Sequence, residues 1–150
     1  MANRPAPPTR KGYPEFYPLQ TRWADCDIYG HLNNTVHYAL FDTAVNGWLI
    51  AQGLLDPASS PELGVVAESS CKYFAEIHFP DALSAGIRID KIGQSSVSYN
   101  IALFRDGSDK AAAQGHFVHV YVDRTTRRPV PIRKAHRRIL ERLISSHCAT

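Results

Sequence analysis

A framework of cysteines is missing from this 150-residue chain, whose three (Cys26, Cys71 and Cys148) form an odd set with no regular spacing. That excludes a disulfide-stapled secreted scaffold and points to a reducing compartment. No apolar run approaches the roughly 20 residues of a membrane span, and the first residues hold no hydrophobic signal core. A soluble, cytoplasmic protein without a membrane partner is therefore expected. Internal repeats are absent as well. Hydrophobic residues make up 44% and charged ones 21%, which fits neither a disordered nor a membrane chain. The length allows one core rather than two. Acidic residues are missing from 124–138, which hold Arg124, Arg127, Arg128, Arg133, Lys134, Arg137 and Arg138, seven of the 17 basic residues. That run lacks interleaved aromatics and any zinc or helix-turn-helix spacing, so no nucleic-acid partner is expected. It reads as a solvated helix face or as a surface for an anionic ligand.

Residues 1–12, rich in proline with Arg and Lys, read as a flexible arm, and 13–150 as a single domain. Over 16–24, Leu19, Thr21 and Trp23 alternate with Gln20, Arg22 and Ala24, the pattern of a strand with one wet face. Residues 25–34 (DCDIYGHLNN) are rich in turn formers. From 35 to 52 proline is absent and apolar residues cover nearly every helical face, which predicts a long helix wrapped by the rest of the protein. Asn33 or Asn34 would cap its start and Gly53 would stop it. Asp42 is its one formally charged side chain, and if buried it must find partners or cost several kcal/mol. Strands are expected over 64–74, 83–92, 96–104 and 111–123, with an Asp106-Gly107 hairpin turn, and a short amphipathic helix over 132–144. The class is α+β, five antiparallel strands around one helix. The open edges of such a sheet call for a second subunit.

Residues 22–34 read Arg-Trp-Ala-Asp-Cys-Asp-Ile-Tyr-Gly-His-Leu-Asn-Asn and run straight into the helix with Tyr38 and Phe41-Asp42. A strand, then Asp-x-x-Gly-His-x-Asn-Asn, then a helix resembles the hotdog-fold acyl-CoA thioesterases. The closer likeness is to the 4-hydroxybenzoyl-CoA thioesterase group and its long-chain acyl-CoA relatives, and it extends over about residues 16–123. The resemblance implies a five-stranded antiparallel sheet wrapped round a long central helix with a short C-terminal helix. It also implies a homodimer or homotetramer with active sites between subunits, hydrolysis of acyl-CoA to free acid and CoA, and neither cofactor nor metal. In relatives the carboxylate matching Asp27 attacks the carbonyl or activates water, and an amide matching that of Asn34 polarises the carbonyl.

Elementary chemistry agrees. A thioester needs an attacking oxygen and a donor for the charge that builds on its carbonyl. Asp27 precedes a helix start, where unpaired N–H groups and the dipole favour anions and would keep it ionised. An amide near Asn34 could then donate to the carbonyl, a contact typically worth about 3–4 kcal/mol in a transition state. Asp27 could equally be an ordinary Asx-turn residue. Asp25 could share its face and raise its pKa. His31 could bond Asp27 or bind substrate, whereas a metal site from His31 and His37 is disfavoured because the two share no helical face. Gly30 and Asn33 would shape the loop around substrate. Asp42 could orient the loop, Glu68 could supply a carboxylate as in other hotdog subgroups, and Tyr38, Phe41, Tyr73 and Phe74 could line an acyl pocket. Coenzyme A carries phosphates, so a basic rim is expected. Aryl-specific relatives place an Arg-Arg-Lys cluster where this chain has Gly93-Gln94-Ser95-Ser96, a departure that resembles the general acyl-CoA branch. Arg88, Lys91, Ser95 and Ser96, with the basic run, are the candidates for holding CoA. Cys26 has no activating histidine at a recognisable spacing. Acyl-carrier-protein thioesters are an alternative substrate. A non-catalytic acyl-CoA sensor and a hydratase are alternative roles, the latter disfavoured by the Asp-first pattern.

Overall fold

The computed structural model describes residues 5–144. Five strands, β1 (Glu15–Gln20), β2 (Glu62–Tyr73), β3 (Ala82–Ile92), β4 (Ser96–Arg105) and β5 (Ala113–Asp123), form one antiparallel sheet in the order β1-β3-β4-β5-β2. A long helix, α1 (Val36–Ala51), lies on one face, and a short one, α2 (Lys134–Leu140), follows the last strand. The α+β class and the element order are as the sequence implies.

Strand alternation decides which side chains meet α1. Leu83, Ala85, Ile87 and Ile89 of β3 and Val97, Tyr99, Ile101 and Leu103 of β4 share a buried core with Phe41, Ala44, Val45 and Trp48. Burying side chains of this size contributes about 1.5–3 kcal/mol each, so the helix–sheet layer is the main source of stability. Two glycines set how closely the layers approach: a Cβ on Gly115 would overlap the Phe41 ring, and one on Gly47 the Tyr17 ring.

Several boundaries differ from expectation, each for a local reason. β1 stops at Gln20 because Arg22 and Asp25 cap each other across a 3-10 turn at Trp23–Asp25. The helix expected over 132–144 divides into α2 and a 3-10 turn at Glu141–Leu143, which lets Leu140 and Leu143 both reach the core. Residues 8–12, expected in a flexible arm, are fastened to the β4–β5 connection. Ala111 N–H donates to Pro8 O at 2.9 Å, Arg10 N–H to Asp109 O at 3.3 Å, and the Arg10 guanidinium lies 5.0 Å from the Phe104 ring centre. Residues 1–4 of that expected arm lie outside the described residues, as does Cys148.

The helix is not wrapped on every side. Tyr38, Ala39, Asp42, Thr43 and Ile50 are exposed along its outer face, so Asp42, whose burial the sequence leaves open, is exposed and accepts the side-chain amide of Asn46 at 2.9 Å. The sheet has two unlike ends. One carries residues 21–34, the start of α1 and Tyr73; the other carries the β3–β4 turn, Glu62 and α2. β2 is an edge strand, paired through β5 alone.

Candidate active site

The segment with the Asp27 motif folds as a small hairpin. Cys26 and Leu32 bridge, Asp27 N–H donates to His31 O at 3.0 Å, and Gly30 N–H donates to Asp27 O at 3.1 Å. Gly30 has φ +83°, a backbone state that side-chain-bearing residues rarely adopt, so glycine here is a turn requirement. The hairpin is pinned from outside through its backbone. Leu32 N–H donates to Ile77 O at 2.7 Å, Asn33 N–H to Asp25 O at 2.9 Å, and the His78 ring contacts Gly30 O at 3.0 Å.

Within it the Asp27 carboxylate faces His31 and its own turn. Oδ1 accepts Tyr29 N–H at 2.9 Å, and Oδ2 lies 3.9 Å from His31 Nδ1. The amide it engages therefore comes from an Asx turn and not from the start of α1, which corrects that part of the sequence reading. His31 Nδ1 also lies 3.3 Å from Leu32 O, and two oxygen neighbours favour the tautomer with the proton on that nitrogen.

Asp25 diverges from Asp27. It is 3% exposed and held by the Arg22 guanidinium at 2.7 and 3.0 Å and the Arg22 N–H at 2.9 Å. Burial pushes its pKa up, but these bonds outweigh burial and hold the carboxyl below its usual range. With its charge neutralised by Arg22, Asp25 faces the groove between β1 and α1 beside Tyr17 and Thr43. It is not a second acid for Asp27.

Helix entry is built by Asn33. Its Oδ1 accepts Thr35 N–H at 3.0 Å and the Thr35 hydroxyl at 2.9 Å, while its carbonyl accepts Val36 N–H at 2.9 Å. That leaves Asn34 N–H, which donates to no acceptor among the described residues, whereas Asn34 O accepts the Tyr73 hydroxyl at 2.7 Å. A cavity of about 210 Å³ opens beside this amide, lined by His31, Asn34, His37, Tyr73, Glu76 and Ile77 among others. Asp27 does not line it and reaches it through His31. His37 is buried with Nδ1 unpaired; burial lowers its pKa, opposed in part by the nearby Asn33 and Asn34 backbone, which falls short of hydrogen-bond geometry.

A second cavity, about 280 Å³, lies along α1 toward β2 and is lined by Tyr38, Ala39, Phe41, Asp42, Val66, Ser69 and Phe117. The structure thus brings Tyr38, Phe41 and Asp42 together in one apolar cleft, and Tyr73 and Phe74 in the first cavity. Glu68 is in neither. A bulge between Val66 and Glu68 shifts the register by one, pairing Glu68 with Val118 on the sheet face away from α1.

The expected CoA contacts scatter. Arg88 points to the face away from α1, bound to Asp90 at 2.9 Å and Gly12 O at 3.1 Å. Lys91, Ser95 and Ser96 sit at the opposite end of β3 and β4 from Asp27, roughly 30 Å along a strand that rises about 3.3 Å per residue. Sequence reasoning missed Glu76, Ile77 and His78. The stretch from His78 reads as a break and Glu76 and Ile77 belong to no motif; in the structure Ile77 is buried. Among the described residues no three His, Cys, Asp or Glu side chains gather as a metal site.

Comparison with known proteins decides the family, because residues 21–141 match the model described as the thioesterase-like superfamily. The chain belongs to that superfamily. It is a thioester hydrolase of the hotdog fold. Its sheet and helix superpose on the PA5185 protein of Pseudomonas aeruginosa strain PAO1 with TM-score 0.90 and 48% identity, over 93% of this chain and 98% of that one. A thioesterase from Thermus thermophilus, complexed with coenzyme A and Zn, superposes with TM-score 0.71 and 26% identity over 88% of this chain and 93% of the other. A 1,4-dihydroxy-2-naphthoyl-CoA thioesterase from Synechocystis shares the fold, with TM-score 0.75 and 18% identity over 83% and 93% of the two chains. No curated protein matches the sequence. No helix of the described residues is long and apolar enough to cross a membrane.

Proposed function

We propose that this thioesterase hydrolyses acyl-CoA in the cytoplasm, with Asp27 as nucleophile or general base and Asn34 N–H as the donor to the thioester carbonyl. The observation that carries the reading is that Asn34, whose amide has no acceptor among the described residues, lines the same cavity as His31, whose ring neighbours Asp27. In the direct route a carboxylate oxygen of Asp27 attacks the carbonyl carbon, the C–S bond breaks, and CoA leaves as the thiolate. The mixed anhydride is then opened by water. In the other route Asp27 takes the proton of the attacking water. Either way, negative charge on the carbonyl oxygen is met by a fixed N–H, and no serine nucleophile is required. The thioesterase that binds coenzyme A supports CoA as the carrier.

The working unit in this proposal is a homodimer. β2 offers twelve residues of edge without a partner among the described residues; Val65 and Val66 are exposed on it, and Tyr38 and Ile50 are exposed on α1. Two such edges related by a two-fold axis pair antiparallel. The Glu62 end of one protomer would then stand beside the Tyr73 end of the other, bringing a cationic segment to each catalytic loop. Arg127, Arg128, Lys134 and Arg138 are exposed there without a side-chain bond among the described residues, and would meet the CoA phosphates. The same residues favour an acidic carrier protein as the second reading.

Thiol release from a panel of acyl-CoAs tests the proposal. Asp27→Asn is expected to lose at least ~100-fold in turnover while remaining folded, the scale for removing a catalytic group. Wild-type turnover in that variant removes Asp27 from the mechanism, and tight acyl-CoA binding without thiol release indicates a sensor.

A further inference from the structure

We infer that Tyr73 is a positioning residue for thioester cleavage, its hydroxyl on the Asn34 carbonyl holding the residue whose N–H meets the substrate oxygen. The inference rests on the reading of Asn34 given above and adds a role that the family likeness does not assign.

Neighbouring ties leave one gap for Tyr73 to fill. Asn33 is fixed by its N–H on Asp25 O, and Thr35 by its N–H on the Asn33 side chain. Asn34 has an exposed side chain with no hydrogen bond among the described residues, so its own anchor is the 2.7 Å bond from Tyr73. A donor contributes most to an oxyanion when its direction is set before charge develops. Tyr73 can set it because it is presented from a rigid element, the last residue of β2, in register with Ala113 of β5. The ring is braced as well. His37, in the first turn of α1, packs edge-on against it with centroids 4.7 Å apart. Partial burial, with Cys71 nearby, pushes the Tyr73 phenol up to about 12, so it stays a donor at any working pH.

The alternative is that Tyr73 is simply a wall of the acyl pocket. A wall changes KM according to the acyl group, whereas a residue that aims the amide changes kcat for every acyl group alike. Tyr73→Phe keeps the ring and its contact with His37 and removes only the hydroxyl. Steady-state thiol release is measured for short, long and aromatic acyl-CoAs, together with hydrogen exchange at the Thr35 and Val36 amides. For Tyr73→Phe, kcat is expected to fall about tenfold across the panel with KM within about twofold, on the scale of one lost hydrogen bond. The two amides should exchange several-fold faster. Unchanged exchange overturns the anchor, and faster exchange with unchanged kcat overturns its part in catalysis. A rise in KM confined to some acyl groups, at constant kcat, overturns it in favour of a pocket wall. Exchange needs no turnover, so if Asp27→Asn stays fully active while exchange in Tyr73→Phe is faster, the anchor stands and the mechanism assigned to Asp27 is what fails.

Discussion

Asp25 and Asp27, with only Cys26 between them, end in different settings, and the one held by Arg22 makes a prediction about stability. Asp25 has a lowered pKa in the folded protein, so its stabilisation is complete above the ordinary carboxylate range and is lost as pH falls through the folded value. Arg22→Ala is expected to lower the urea midpoint at neutral pH and to flatten its decline below about pH 4. A midpoint as acid-sensitive as wild type would show that Arg22 does not hold the pair. His119 titrates in a separate window. It is 1% exposed with Nδ1 unpaired, and burial lowers its pKa to about 4. The unfolded chain therefore binds the proton first, and stability is complete above about pH 6.5 and falls between there and about 4. The loss is of the order of 3 kcal/mol at the acid end. His119→Leu should shrink the decline across that interval to the part that buried His37 contributes, as denaturation curves at pH 7, 5.5 and 4.5 would report.

At the scale of elements, α1 and its seat carry the fold. The Phe41 ring lies over Gly115 with no space for a methyl group, so Gly115→Ala is expected to lower stability by about 1–3 kcal/mol through overpacking, read from the urea midpoint. An unchanged midpoint would mean that Phe41 has a second place to go. The helix itself was legible because eighteen residues without proline, apolar on every side, have few other destinations. The Asp106-Gly107 turn was legible because its chemistry is local. What local pattern could not show was register. One extra residue near Ala67 turned Glu68 to the other face, and nothing in the spacing of β2 announces a bulge. Nor could it show that the chain after Tyr73 folds back to clamp the Asp27 hairpin, because the tie is a main-chain bond from Leu32 to Ile77. Asp27, His31 and Asn34 were singled out by their likeness to the family motif; Glu76 and His78 beside them belong to no such motif.

For the molecule as a whole, the bare side of an apolar helix and a twelve-residue sheet edge without a partner among the described residues are the surfaces the proposed homodimer would cover. Sedimentation equilibrium is expected to give twice the 16.7 kDa chain mass or a higher even multiple, and a fully active monomer would refute the dimeric unit. The scattering of Arg88, Lys91 and Ser95 around one protomer is a puzzle only if the protomer works alone. A different consequence follows from how the hairpin is fastened. Its bonds to Ile77 and Asp25, and the closure between Asp27 and His31, run from peptide to peptide and ask nothing of the side chains concerned. Ile28 and Tyr29 at its tip, 92% and 78% exposed, can change without loosening it. Evolution could therefore rewrite the tip of this hairpin, and with it the face it shows to solvent, while the main chain from Cys26 to Leu32 keeps its course.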